Sequence, residues 1–110
     1  MWNKPSSEEL LKISEFYSTE AVSLKEKMIY LHFSIGECDW FAAEYDPENQ
    51  TFFGFAILNN DYEMAEWGYF SLQELCELRI KSLEVDRDLH FDSCRAIEIE
   101  KICEAQGWKK

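Results

Sequence analysis

The chain has 110 residues, of which 46% are hydrophobic and 15% aromatic, with only four glycines and two prolines. That length supports one hydrophobic core, and the composition argues against disorder. Its 22 acidic against 11 basic residues give a formal charge of -11, which repels nucleic acid and anionic membrane and suits a basic surface on another protein.

No apolar run approaches the roughly 18 residues of a membrane span, and Met1, Trp2, Asn3, Lys4 and Pro5 lack the regions of a signal peptide. A cytoplasmic location is expected. Cys38, Cys76, Cys94 and Cys103 form no short pair, so the expectation is reduced, partly buried thiols and not a disulfide or metal framework.

Pro5, Ser6 and Glu9 announce a first helix through a capping box, and Leu10, Leu11, Ile13, Phe16 and Tyr17 continue it at helical spacing. From Met28, the residues Ile29, Leu31, Phe33 and Ile35 alternate with Tyr30, His32 and Ser34, the period of a strand. Gly36-Glu37 suits a type II′ hairpin turn, which pairs Ile35 with Cys38, Phe33 with Trp40 and Leu31 with Ala42. The opposite face then carries Tyr30, His32, Phe41 and Tyr45.

Asp46-Pro47-Glu48-Asn49 is turn chemistry, followed by a third strand over residues 51–58 in which Gly54 admits Phe41 or another ring over the backbone. Residues 62–65 read as a fourth, partly exposed strand. Ser71-Leu72-Gln73-Glu74 is a second capping box opening a short helix, and residues 83–91 read as extended. A final helix is expected over residues 93–106, capped by Asp92 or Ser93 and ended by Gly107. The fold class is α+β: an antiparallel sheet of three to five strands, with its meander over residues 28–58, packed with N-terminal, middle and C-terminal helices in one domain covering residues 1–110.

Gly68-Tyr69-Phe70-Ser71-Leu72-Gln73-Glu74-Leu75 and Arg87-Asp88-Leu89-His90-Phe91 are the most distinctive stretches. With Leu24-Lys25-Glu26-Lys27, Trp40-Phe41-Ala42-Ala43-Glu44-Tyr45-Asp46 and Phe52-Phe53-Gly54, they resemble an uncharacterised bacterial family of small proteins known only as a domain of unknown function. The resemblance spans residues 17–91. It implies carriage on plasmids and other mobile elements, and it brings no activity, cofactor or catalytic residue with it.

Arg87, Asp88 and His90 are the most enzyme-like cluster, because a histidine beside a carboxylate can act as a general base. On a strand, however, Arg87 points away from the other two, and a structural polar cluster is the expected role. His32, His90, Cys94 and Cys103 offer zinc-binding atoms without the short ligand pair that structural zinc sites show. Glu37, Asp39, Glu44, Asp46 and Glu48 read as solubilising acids beside hairpin turns, and the scattered glycines supply no phosphate loop. No metal or cofactor is therefore expected.

Tyr62, Trp67 and Tyr69, set among Asp61, Glu63 and Glu66, combine amphipathic rings with a polar rim and are the expected binding residues. The functional expectation is a non-catalytic accessory or interaction protein that binds another protein through the sheet edge or this segment. The alternatives are an acidic mimic or competitor of nucleic acid at a basic protein surface, and a small enzyme using Arg87, Asp88 and His90.

Overall fold

The computed structural model, which describes residues 1–109, is α+β. In chain order the elements are α1 (Ser7–Leu11), β1 (Met28–Ile29), β2 (Leu31–Ile35), β3 (Cys38–Asp46), β4 (Thr51–Ile57) and β5 (Glu66–Ser71). There follow α2 (Leu72–Glu77), β6 (Arg79–Ile80), β7 (Leu83–Glu84), β8 (Asp86–Arg87), β9 (Cys94–Arg95) and α3 (Glu100–Gln106). The main sheet is antiparallel with strand order β5-β4-β3-β2-β8, and β1 pairs with β9 beside it.

Alternation along the strands sends side chains into two separate cores. Leu31, Phe33, Ile35, Trp40 and Phe52 meet Leu10 from α1 and Leu72 and Leu75 at α2 on the first face. Phe41, Phe55 and Ile57 meet Ala96 and Ile102 from the C-terminal segment on the second. Covering both faces is what allows so many aromatic rings in so short a chain.

The hairpin forms in the expected register, Ile35 opposite Cys38, Phe33 opposite Trp40 and Leu31 opposite Ala42, with Gly36 at φ 55°. The strand before it is broken, because the Tyr30 N–H donates to the Ala42 carbonyl (2.8 Å) while Met28 and Ile29 pair with Arg95 and Cys94. Ile29 consequently enters the second core although Leu31 enters the first.

A bulge corrects the expected face of Tyr45. Ala42 lies opposite Gly54 but Glu44 lies opposite Phe53, so Ala43 is an extra residue and every side chain after it changes face. Tyr45 joins the first core, and Tyr30 also packs there, leaving His32 and Phe41 on the second face. At Gly54 the close neighbour is backbone and not a ring: a Cβ built there would stand 1.9 Å from the Phe41 carbonyl oxygen.

Four expected segments are reassigned. The Ser6–Glu9 capping box forms, with the Glu9 N–H donating to Ser6 Oγ (3.2 Å) and the Ser6 N–H to Glu9 Oε1 (3.0 Å), but α1 ends at Leu11. A helix through Tyr17 would need the Ser14 carbonyl that instead accepts the Tyr45 N–H at 2.9 Å. Residues 62–65 precede the fourth sheet strand, which is β5, paired with β4 from Ser71 opposite Thr51 to Glu66 opposite Ala56. Ser71 then caps α2, its Oγ accepting the Glu74 N–H at 3.0 Å. Residues 83–91 fold as β7, β8 and a turn, and α3 is shorter than expected because Cys94 and Arg95 are drawn into pairing with β1. Gly107 ends α3 in the left-handed region at φ 69°.

Candidate functional site

The two edges of the main sheet differ. Along β8, the Trp2 N–H donates to the Val85 carbonyl (2.8 Å) and the Arg87 N–H donates to the Trp2 carbonyl (3.1 Å), so the residues around Trp2 cover that edge. β5 is the outermost strand on the other side. An outermost strand presents a row of backbone donors and acceptors that a further strand can satisfy.

β5 sends Trp67 and Tyr69 to the second face, opposite Phe55 and Phe53. The rings form a continuous band: Trp67 lies 5.9 Å from Phe53, Phe53 5.3 Å from Tyr69, Tyr69 5.4 Å from Phe16, and Phe16 6.0 Å from Tyr17. Tyr69 is 59% exposed and Tyr17 64%, so two rings of the band face solvent. Trp67 is half-buried, and its Nε1–H donates to Gln106 Oε1 at 3.1 Å, tying α3 to the sheet. Tyr62 is half-buried against the second core.

Of the three expected binding residues, then, the fold joins Trp67 and Tyr69 to one band and turns only Tyr69 outward. Phe16 and Tyr17 have the spacing of a helix's buried stripe, yet they lie in this band. The signal that could have relocated them is the polar run over residues 18–20, which interrupts the apolar spacing immediately after Tyr17.

The bulge at Ala43 places Glu44 beneath this band. Its Oε1 accepts the Tyr17 N–H at 3.1 Å and its Oε2 accepts the Thr19 hydroxyl. Lys27, equally buried, donates from Nζ to the Thr19 carbonyl (2.8 Å) and Oγ1 (2.7 Å), and lies 3.7 Å from Glu44 Oε2. A buried, paired charge thus pins the segment that carries Phe16 and Tyr17. A hydrogen bond with the Tyr17 hydroxyl, desolvation and the nearby charges of Glu44 and Glu20 hold the Tyr69 phenol above its ordinary range.

Arg87, Asp88 and His90 are directed to different partners. Arg87 pairs with Glu9, from Nη1 to Oε2 at 2.7 Å and from Nη2 to Oε1 at 3.3 Å. The Arg87 hydrogen bond is the main cause that lowers the Glu9 carboxyl to about 2, with the Ser6 backbone bond adding to it. Asp88 Oδ1 accepts the backbone N–H of His90 (2.9 Å), while Oδ2 lies 3.2 Å from His32 Nδ1. The His90 side chain is exposed.

His32, not His90, is the embedded imidazole. Its Nε2 lies 2.7 Å from Asp39 Oδ1, its ring stacks on Phe41 at 4.6 Å, and Lys101 Nζ donates to Asp39 Oδ2 at 2.8 Å. Burial would raise Asp39 and Asp88, but hydrogen bonds and charge from His32, with Lys101 at Asp39, hold both below their ordinary value. Each ring nitrogen of His32 thus faces a carboxylate oxygen, so the imidazole is engaged on both sides. The arrangement clamps β2, β3, α3 and the turn after β8 together.

Among the described residues, no group of three or more His, Cys, Asp or Glu side chains is placed to hold a metal ion, and no helix is long and apolar enough to cross a membrane. No curated protein and no solved structure matches the chain. One family does match, over residues 8–105, which include the ring band, the bulge and the histidine clamp. The chain therefore belongs to the family described as protein of unknown function (DUF2958).

Proposed function

We propose that the protein is a non-catalytic interaction domain that takes an extended segment of a basic protein along β5, with Tyr69 as the main side-chain anchor. The observation that carries this reading is the pairing of an outermost strand with an exposed ring band whose supporting segment is pinned from below by Glu44 and Lys27. Backbone pairing supplies affinity in such complexes, and side chains alternating along the added strand supply selectivity. The acidic surroundings, Glu63 and Glu66 beside β5 and a formal charge of -11 overall, favour a basic partner.

The motif resemblance to plasmid-borne proteins supports an accessory role on a bacterial mobile element, exercised in the cytoplasm. The test is capture of partners from nuclease-treated bacterial lysate by the wild-type domain and by Tyr69→Ser and Tyr17→Ser, with thermal melts as a folding control. Removing an anchor ring should reduce capture at least about tenfold with little change in Tm. Capture that is equal for all three proteins would remove β5 and its ring band from the reading. A partner released by duplex DNA would instead assign the acidic surface to competition with nucleic acid.

A further inference from the structure

Tyr17 is held in a backbone conformation that bulky residues rarely adopt. Its φ is 64°, in the left-handed region, and the Glu44 carboxylate accepts its N–H at 3.1 Å. A residue in that region persists where its surroundings over-determine it, and here they include the buried pair of Glu44 and Lys27. The ring so positioned is 64% exposed, so core packing does not account for the arrangement.

Phe16 joins the two exposed rings into a corner. It lies 6.0 Å from Tyr17 at an interplanar angle of 75° and 5.4 Å from Tyr69 at 54°, while a hydrogen bond links the hydroxyls of Tyr17 and Tyr69. Three mutually tilted ring planes thus meet at one place, two of them open to solvent.

Charge selects what this corner takes. The face of an aromatic ring is negative and attracts a cation within about 6 Å of its centre. The inner part of the band already does so, since Lys27 Nζ lies 6.0 Å from the centre of the Phe53 ring. At the outer part Glu20 and Glu44 act on Tyr69. Among the described residues, however, no lysine or arginine lies over Phe16, Tyr17 or Tyr69, and none pairs with Glu20. A guanidinium fits best: its plane stacks on a ring, its N–H groups donate to phenol and carboxylate oxygens, and it is more weakly hydrated than an ammonium.

Position follows from sheet geometry. A strand added along β5 sets the residue opposite Tyr69 on the second face, with the two Cβ atoms about 5 Å apart. We propose that the corner formed by Phe16, Tyr17 and Tyr69 receives the guanidinium of an arginine in the partner segment, at the position paired with Tyr69. This deepens the strand-addition reading and rests on it for the position of the arginine, whereas the ring corner is tested without a partner.

The experiment is an NMR titration of the full chain, with 13C-labelled aromatic rings, by N-acetyl-arginine amide at constant ionic strength, set against its neutral isostere N-acetyl-citrulline amide and against N-acetyl-lysine amide. The expected result is saturable shifts at the Phe16, Tyr17 and Tyr69 rings with arginine amide, a response at least about threefold weaker with lysine amide, and none with citrulline amide. Tyr17→Leu and Tyr69→Leu keep apolar surface and remove a ring face, so each should weaken arginine binding about threefold while the remaining spectrum stays that of the folded chain.

Shifts that are absent, matched by citrulline or lysine amide, or as strong in both leucine variants would overturn the inference. Partner capture lost in Tyr69→Ser without any arginine response removes the guanidinium and keeps strand addition. An arginine response with capture unchanged removes strand addition and keeps the ring corner, so the two failures are distinct.

Discussion

At Gly54 a single methyl group decides whether two strands can lie together. A Cβ there would meet the Phe41 carbonyl oxygen at 1.9 Å and the Ala42 Cα at 3.0 Å, both backbone atoms that cannot rotate away. Gly54→Ala should cost about 3 kcal/mol or more, measured by urea denaturation, because β3 and β4 must separate at the bulge. A loss under about 1 kcal/mol would show that the bulge accommodates the methyl group. Glu44 is the other residue on which this corner depends. Glu44→Gln leaves Lys27 buried without its carboxylate and should destabilise by about 3 kcal/mol, whereas adding Lys27→Met should recover most of that loss. If the double variant is no more stable than the single one, Lys27 is not the group that Glu44 compensates. Alternating hydrophobicity anticipated the hairpin register but not this corner. The pattern around Ala42, Ala43 and Glu44 contains nothing that marks an extra residue, so strict alternation makes Glu44 a solubilising acid and puts Tyr45 on the face of Phe41.

Elements follow their local signals where they begin and depart from them where another element claims their backbone. The caps at Ser6 and Ser71 were legible because side chains three residues apart satisfy orphan amides without outside help. The early end of α1 was not, because the Ser14 carbonyl is claimed by Tyr45, and the late start of α3 was not, because Cys94 and Arg95 are claimed by β1. For the candidate site, Trp67 and Tyr69 were legible as rings among acids, whereas the contribution of Phe16 and Tyr17 depends on where α1 stops. The join between α1 and β8 provides a test at this scale. Glu9 has a folded value of about 2 against an ordinary 4.5, so its pairing with Arg87 stabilises the fold above pH 4.5 and is lost as pH falls from there towards 2. Because Glu9 is substantially exposed, solvent screening keeps the effect well below what the shift alone would give. Glu9→Gln should flatten the acid limb of a stability-versus-pH curve within that window. An unchanged acid limb would mean that Asp39 and Asp88, held low by His32, account for the whole transition.

For the molecule as a whole, attraction at a few buried pairs competes with repulsion spread over the surface. At pH 7 the formal charge is -11, and self-repulsion opposes the compact state; towards the isoelectric point near 4.5 that repulsion fades. The depressed carboxylates act in the opposite direction, since Glu9, Asp39 and Asp88 stay ionised and paired until the pH falls below their ordinary range. Stability should therefore be greatest at mildly acidic pH, above the window in which these three lose their charge. Salt separates the two terms. Exposed charges are screened within about 8 Å at physiological ionic strength and buried pairs much less, so added sodium chloride at pH 7 should relieve repulsion while leaving Lys27–Glu44 and His32–Asp39 in place. Raising the salt from about 0.02 to 0.3 M should increase Tm at pH 7 by about 4 °C, the size expected from a gain on the order of 1 kcal/mol in a domain of this length. The same addition at pH 5 should have a smaller effect, because little net charge remains to screen. A fall in Tm at pH 7 would mean that surface pairs such as Arg87–Glu9 and Arg95–Glu26 outweigh the net repulsion, and the acidic surface would then be a network of attractions and not a field held open for a basic partner.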